Sequence, residues 1–381
     1  MARLRIAVLG TRGFPGVQGG IEKHCQELYP RLAARGVEVS VYGRRGYMPP
    51  WPYVYKGVQV IPLWNTRGKH SEAITHTLWG LLYLARTWPP PDQVHIHGIG
   101  PAILTPVARL LGFKVVVTHH GPDYERKKWG KGAKLVLRQG EKWAARWAHE
   151  IISVSQTIRD QLRQKYGRES IYIPNGVTLP EIPAPGNLLT RLGLEPRGYI
   201  LAVGRFVPEK GFHDLLEAFA EVPGEMRLVI AGDADHEDEY SRTLKARAGR
   251  DKRVVLTGFI TGRDLAEIYA HARFFVLPSY HEGLPLVLLE ALSYGLPTLV
   301  SAIPANLEVI GDSAYSFPPG DVGSLRQKLC SLGTQPWDQD WSEHTKTLLR
   351  EKYNWDKIAE ATLETYCRLI SAAVPEVVRQ P

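Results

Sequence analysis

The sequence predicts an α/β protein built from two doubly wound domains, each a parallel sheet wrapped by helices. Three observations carry this. Short β-rich runs alternate with segments of helical period twice, once in each half of the chain. The first strand of each half runs directly into a loop of glycines and cations that opens a helix. Between the halves, residues 179–198 hold Pro180, Pro183, Pro185 and Pro196 with little periodicity, the composition of a hinge. At 381 residues, 44% hydrophobic and 23% charged, the chain is long enough to bury one core per domain.

In the first domain, residues 1–178, Leu4 to Gly10 reads as a buried strand. A glycine-rich loop follows, and Ile21, Cys25, Leu28, Tyr29 and Leu32 mark one face of a helix ending near Gly36. Val37 to Tyr42, Gln93 to Ile96, Lys114 to Thr118 and Glu150 to Val154 are the further strands. Tyr47 to Lys69 reads as a loop rich in aromatic rings, with Trp51, Tyr53, Tyr55 and Trp64. In the second domain, residues 199–352, Tyr199 to Gly204 is the first strand and Phe212 to Val222 the helix after it. Arg227 to Ala231, Val254 to Thr257, Phe274 to Leu277 and Thr298 to Val300 continue that sheet. The segment 353–381 reads as helical.

Composition excludes several classes. The apolar run Met1 to Gly10 is short and meets Arg12, so it reads as a strand rather than a signal peptide. The most apolar long window, Ile74 to Ala85, is broken by His76, two threonines and Gly80, too polar for a membrane span. Cys25, Cys330 and Cys367 have no metal-ligand spacing and form no even set, which fits packing residues in a reducing compartment. A formal charge of +8 favours anionic partners.

The chemistry-bearing residues cluster in loops after strands. Glu282 and Glu290 stand eight positions apart around Gly283, Leu284 and Pro285; if helical throughout, that spacing is about 12 Å along the axis, comparable with the span from a sugar to a ribose. Pro285 suits a first helical turn, and the amides there face an anion. The loop from Gly10 to Gly20, with Gly19 and Gly20 entering the helix, could bring backbone N–H groups to a phosphate, although it is neither a G-x-G-x-x-G loop nor a P-loop. In Gly204 to Gly211, Arg205 can fork onto phosphate oxygens while Lys210 supplies a point charge. Asp233-Ala234-Asp235 could hold a metal, but acids following a strand and opening a helix with Glu237 to Glu239 need no ion; no metal and no cofactor is expected. Arg126, Lys127, Lys128, Trp129, Lys131 and Lys134 begin a basic segment, running to Trp147, that suits an anionic membrane surface, the alternative being a solvated face with tryptophans packed inward. No nucleic-acid motif accompanies the charge.

Together, Gly19-Gly20-Ile21-Glu22, Thr118-His119-His120-Gly121, Ile173-Pro174-Asn175-Gly176-Val177, Gly204-Arg205 with Glu209-Lys210-Gly211, and the pair Glu282 and Glu290 resemble the retaining GT-B glycosyltransferases of family 4, also called group 1. The resemblance covers nearly the whole chain. It implies two Rossmann-like domains with an interdomain cleft, the first binding the acceptor and the second a nucleotide-diphosphate sugar, with the C-terminal helix packing back on the first. It further implies that Glu290 binds ribose hydroxyls, that Glu282, Gly283 and Leu284 hold the donor sugar and phosphate, and that Arg205 and Lys210 neutralise the diphosphate. Phe259 and Ile260 resemble the base-binding turn, and Gly19 and Gly20 the amides that close on the phosphate. His120 is expected near the anomeric centre. The expected function is transfer of a hexose, from UDP by preference, to a glycan or lipid-linked acceptor by a cytoplasmic protein, peripheral on the inner face of the membrane. A sugar-nucleotide 2-epimerase and a non-catalytic basic surface-binding protein are the alternatives.

Overall fold

The computed structural model describes residues 3–66, 68, 71–126, 130–235, 237–311, 315–334 and 339–371. The chain divides into two compact units, one running to Asn175 and resuming at Trp355, the other spanning Gly176–Asn354.

The sheet of the first unit contains β1 (Arg5–Leu9), β2 (Glu38–Arg44), β3 (Tyr53–Tyr55), β4 (Val58–Leu63), β5 (Gln93–His97), β6 (Val115–His119), β7 (Glu150–Ser153) and β8 (Ile171–Tyr172). Their order is β3-β4-β2-β1-β5-β6-β7-β8, parallel except where β3 pairs antiparallel with β4. That hairpin corrects the loop expected over Tyr47 to Lys69. Val54 is exposed and Val58 and Val60 are buried, and Lys56 and Gly57 both take positive φ, the backbone of a tight two-residue hairpin turn. Tyr53 Oη donates to the Phe14 carbonyl at 2.5 Å and so ties the hairpin to the glycine loop.

The second unit carries β9 (Tyr199–Val203), β10 (Arg227–Ala231), β11 (Val254–Gly258), β12 (Phe274–Leu277), β13 (Thr298–Ser301) and β14 (Tyr315–Phe317). All six are parallel, in the order β11-β10-β9-β12-β13-β14. Alternation places Ile200 and Ala202, Leu228 and Ile230, and Phe274 and Val276 in one layer with Phe212, Leu215 and Phe219 of the helix Phe212–Ala220. Apart from Ala202, each such side chain contributes about 1.5–3 kcal/mol on burial, more than a surface ion pair, so apolar packing dominates the stability of this unit.

In an open parallel sheet, ligands gather beyond the carboxyl ends of strands where the strand order reverses. Here the reversals fall between β1 and β5 and between β9 and β12. The loops singled out in the sequence for ligand contacts leave β1, β6, β9, β11 and β12, and the Asp233–Asp235 motif follows β10.

The segment 179–198 is not a structureless linker. It belongs to the second unit and contains the helix Asn187–Leu192, with Leu188 and Leu189 buried. Glu267 Oε1 accepts from the Gly186 and Leu189 amides at 3.0 and 2.9 Å and satisfies the start of that helix. The final helix runs Trp355–Ser371 and groups with the first unit, where Tyr366 is fully buried and Gln93 Nε2 donates to its carbonyl at 2.7 Å.

Candidate active site

In the second unit, β9 ends at Val203 and the chain turns through Pro208–Lys210 into the helix Phe212–Ala220. Gly211 makes the turn. Its φ is +66°, and a Cβ there would lie 2.1 Å from the Pro278 carbonyl oxygen, so only glycine lets this loop lie against the end of β12. That contact brings Lys210 to Glu282: Lys210 Nζ donates to Glu282 Oε1 at 2.6 Å, and Ser279 Oγ donates to the same oxygen at 2.6 Å. Burial pushes the Glu282 carboxyl up, but the Lys210 charge and both hydrogen bonds outweigh it, and the group is held below the usual glutamate range. The pair therefore bridges the switch between β9 and β12.

Arg205, also after β9, donates from Nη1 to Asp235 Oδ2 at 2.8 Å. Asp233 accepts from Lys245 Nζ at 2.8 Å and from the Ala234 amide at 2.8 Å. The two acids do not open a helix, as the sequence suggested. The helix Glu239–Ala248 starts later, capped by Asp238 in a reciprocal pair with Ser241, and Asp233 and Asp235 each face their own cation.

Helix Leu286–Ser293 begins after Pro285, which occupies the cap position rather than the first turn. Only the last four of the eight steps from Glu282 to Glu290 are helical, so the rise of about 12 Å expected for a continuous helix does not apply. Gly283 and Leu284 lie in the non-helical approach. Glu290 Oε2 accepts from Tyr269 Oη at 3.3 Å, and Tyr269 stacks on Tyr294 with centroids 5.4 Å apart. Phe259, just past β11, is 46% exposed, and Ile260 beside it is half-buried.

In the first unit, Gly19 caps the helix Gly20–Ala34 at φ 151°, where a Cβ would lie 2.0 Å from Glu22 Oε2. Glu22 Oε1 accepts from the Arg12 amide at 3.0 Å and braces the loop. His120 follows β6. Its Nε2 shares a hydrogen bond with His97 Nδ1 at 2.9 Å, and its ring meets that of His24 edge-on at 4.9 Å. The loop holding His120 is anchored by its neighbour: the Gly121 amide donates to His119 Nδ1 at 3.2 Å, so the ring proton sits on Nε2 and is donated to Glu141 Oε1 at 2.9 Å. Glu141 also accepts from Tyr124 at 3.1 Å and from Tyr166 at 2.8 Å.

Sequence reasoning missed His24, His97, Glu141 and Ser279, and it weighed Asp235 only as part of a metal motif rather than as the partner of Arg205. For His97 a signal existed, because His95 and His97 stand two apart in a strand and must share a face; the others meet their partners only through tertiary contact.

The basic segment forms the helix Lys131–Trp147, with Leu137, Gly140, Glu141, Ala144 and Ala145 buried. Leu135 is 67% and Trp147 43% exposed, so the apolar residues do not all pack inward. Arg126 pairs with Asp123 at 2.9 Å, Lys131 is exposed and Lys134 half-buried, whereas Lys127, Lys128 and Trp129 lie outside the described residues. Among the described residues no helix is long and apolar enough to cross a membrane.

Two family models match in succession, one described as glycosyltransferase family 4 over residues 18–180 and one as glycosyl transferases group 1 over residues 197–335. An uncharacterized glycosyltransferase of Methanocaldococcus jannaschii is 32% identical, covering 95% of this chain and 98% of that protein. The chain belongs to the group 1, family 4 glycosyltransferases. A glycogen synthase of Mycobacterium tuberculosis is 28% identical to this glycosyltransferase, covering 95% of this chain and 94% of the relative. The Anabaena protein HepE, solved in complex with UDP-glucose, superposes with a TM-score of 0.76 at 18% identity, covering 96% of this chain and 100% of that one. The glycosyltransferase thus has the GT-B fold and is an enzyme that transfers sugar.

Proposed function

We propose that this glycosyltransferase moves a hexose from a UDP-sugar to a glycan or lipid-linked acceptor with retention of anomeric configuration, using protein cations rather than a metal to hold the diphosphate. The observation that carries the reading is the Lys210–Glu282 pair at the β9/β12 switch, with Arg205 on the same strand's loop. Cleaving a sugar–phosphate bond places charge on the departing diphosphate, and preorganised cations there lower the barrier. Arg205 would exchange Asp235 for phosphate oxygens, and Lys210 would share its ammonium between Glu282 and the diphosphate. Glu282 would accept from donor-sugar hydroxyls, the Gly283 and Leu284 amides and the helix start after Pro285 would face phosphate, and Glu290 would accept from the ribose. Phe259 and Ile260 would flank the base. In the first unit, the Gly19 and Gly20 amides and His120 would meet the donor phosphate and sugar hydroxyls.

The UDP-glucose complex of a protein of the same fold supports a UDP-hexose, and the likeness to a glycogen synthase supports a glycan acceptor. Exposed Leu135 and Trp147 on a basic helix support peripheral attachment to an anionic membrane by a cytoplasmic enzyme.

Proton NMR of the product formed from an α-linked UDP-hexose tests the chemistry. The new linkage is expected to be α; a β linkage, or epimerised nucleotide sugar without any acceptor product, would contradict the proposal.

A further inference from the structure

The first unit gathers three imidazoles that the sequence did not join: His24 in the helix Gly20–Ala34, His97 at the end of β5, and His120 after β6. One ring nitrogen of each lies within 4.8 Å of the other two, and among the described residues no other group of three histidine, cysteine or acidic side chains is so arranged. The geometry points to a site for a divalent transition cation of the zinc class, held by His24, His97 and His120 with a fourth position open.

Three features argue for it. First, a tetrahedral zinc bound at about 2.0–2.1 Å sets its nitrogens about 3.3 Å apart. His97 Nδ1 and His120 Nε2 already stand 2.9 Å apart, so small ring rotations meet this spacing. Second, the outward nitrogens are tied down as in metal-binding histidines, which donate their second N–H to an oxygen. His24 Nδ1 pairs with Asn175 Oδ1 at 2.9 Å and His97 Nε2 with the Tyr29 hydroxyl, which directs His24 Nε2 and His97 Nδ1 inward. Third, the absence of a carboxylate from the set disfavours magnesium and calcium, which require oxygen ligands, whereas three imidazoles and a water suit zinc or cobalt. His24 and His97 are buried but His120 is only partly so, which leaves a side for an ion to enter.

Resting on the proposed function, one consequence follows: an ion that engages His120 removes it from the donor sugar, so zinc inhibits transfer.

Cobalt is the probe. The full-length protein, stripped with EDTA, dialysed and titrated with Co²⁺ without nucleotide, is expected to develop the visible absorption of low-coordinate cobalt, saturating at one equivalent and displaced by zinc. His24→Gln and His97→Gln, each checked for folding by circular dichroism, should each weaken binding by at least about 100-fold, more than loss of an outer-shell partner costs. No saturable band, or a band both variants retain, would overturn the site. Zinc-edge X-ray absorption of the wild-type protein covers the case of variants that fail to fold: three imidazole ligands support the site, and one or none overturns it. Transfer that slows in zinc and recovers in EDTA supports inhibition, and an unchanged rate with the ion bound overturns that half. The cobalt band needs no donor and the donor reading is tested in EDTA, so failure of one is distinguishable from failure of the other.

Discussion

Lys210→Ala is expected to lower the rate of sugar transfer by about 10²–10³-fold, the loss typical when one preorganised charge aimed at a developing anion is removed. It should also destabilise the second unit. A fully buried ion pair that loses one partner costs about 3–5 kcal/mol; here the side chains are 15% and 12% exposed, and Ser279 remains as a donor to Glu282, so about 2–3 kcal/mol is expected. The two effects separate experimentally. Urea unfolding reads the stability, and the rate at saturating donor, measured well below the unfolding transition, reads the chemistry. Glu282→Gln keeps a polar partner for Lys210 and should leave stability within about 1–2 kcal/mol of wild type while slowing transfer through its contact with donor hydroxyls. A Lys210→Ala enzyme with normal turnover would remove the cation from the mechanism.

Glu141→Ala is expected to carry the largest stability cost in the first unit, about 3–5 kcal/mol, because His119, Tyr124 and Tyr166 together lose their buried acceptor. Burial pushes this carboxyl up, but the hydrogen bonds from His119 and Tyr166 and the charge of Lys165 outweigh it and hold it below the ordinary glutamate value. With a folded value lower than the unfolded one, the stabilisation is present above the ordinary value of 4.5 and is lost as pH falls through the depressed folded value. Wild-type unfolding midpoints should therefore decline more steeply in that acid range than those of Glu141→Gln, which no longer titrates there. Because His119 adjoins His120, Glu141→Gln should also slow transfer by about 10-fold or more, since a misplacement of about 1 Å costs up to 10²-fold. An unaltered acid profile would show that the group carries no such linkage.

Much of this architecture was legible in the sequence because parallel strands buried on both faces read as continuous apolar runs. Tyr199 to Val203, Arg227 to Ala231 and Phe274 to Leu277 are of that kind. The hairpin β3–β4 was not legible: it is partly exposed, and its Lys56-Gly57 turn lies among aromatic residues that suggest a binding loop. The helix Asn187–Leu192 was hidden by the surrounding prolines, and its anchor Glu267 is distant in sequence. At the site, Arg205, Lys210, Glu282 and Glu290 stood out because their spacing follows strand ends. The pairing of Lys210 with Glu282 did not, because it depends on Gly211 bringing its loop to the end of β12. The convergence of the three imidazoles was not legible for a related reason, since α/β winding alone brings residues 24, 97 and 120 together.

The central claim is that cations and acids at the β9/β12 switch bind a nucleotide diphosphate without a metal. Calorimetric titration of the protein with UDP, dTDP and GDP in EDTA tests it most directly, repeated with Arg205→Ala and Glu290→Ala. Saturable binding is predicted, tightest for UDP, with each substitution weakening it by about 10-fold or more, the loss of one charge-assisted hydrogen bond. No binding of any of the three nucleotides, or binding that both variants leave intact, would contradict the account.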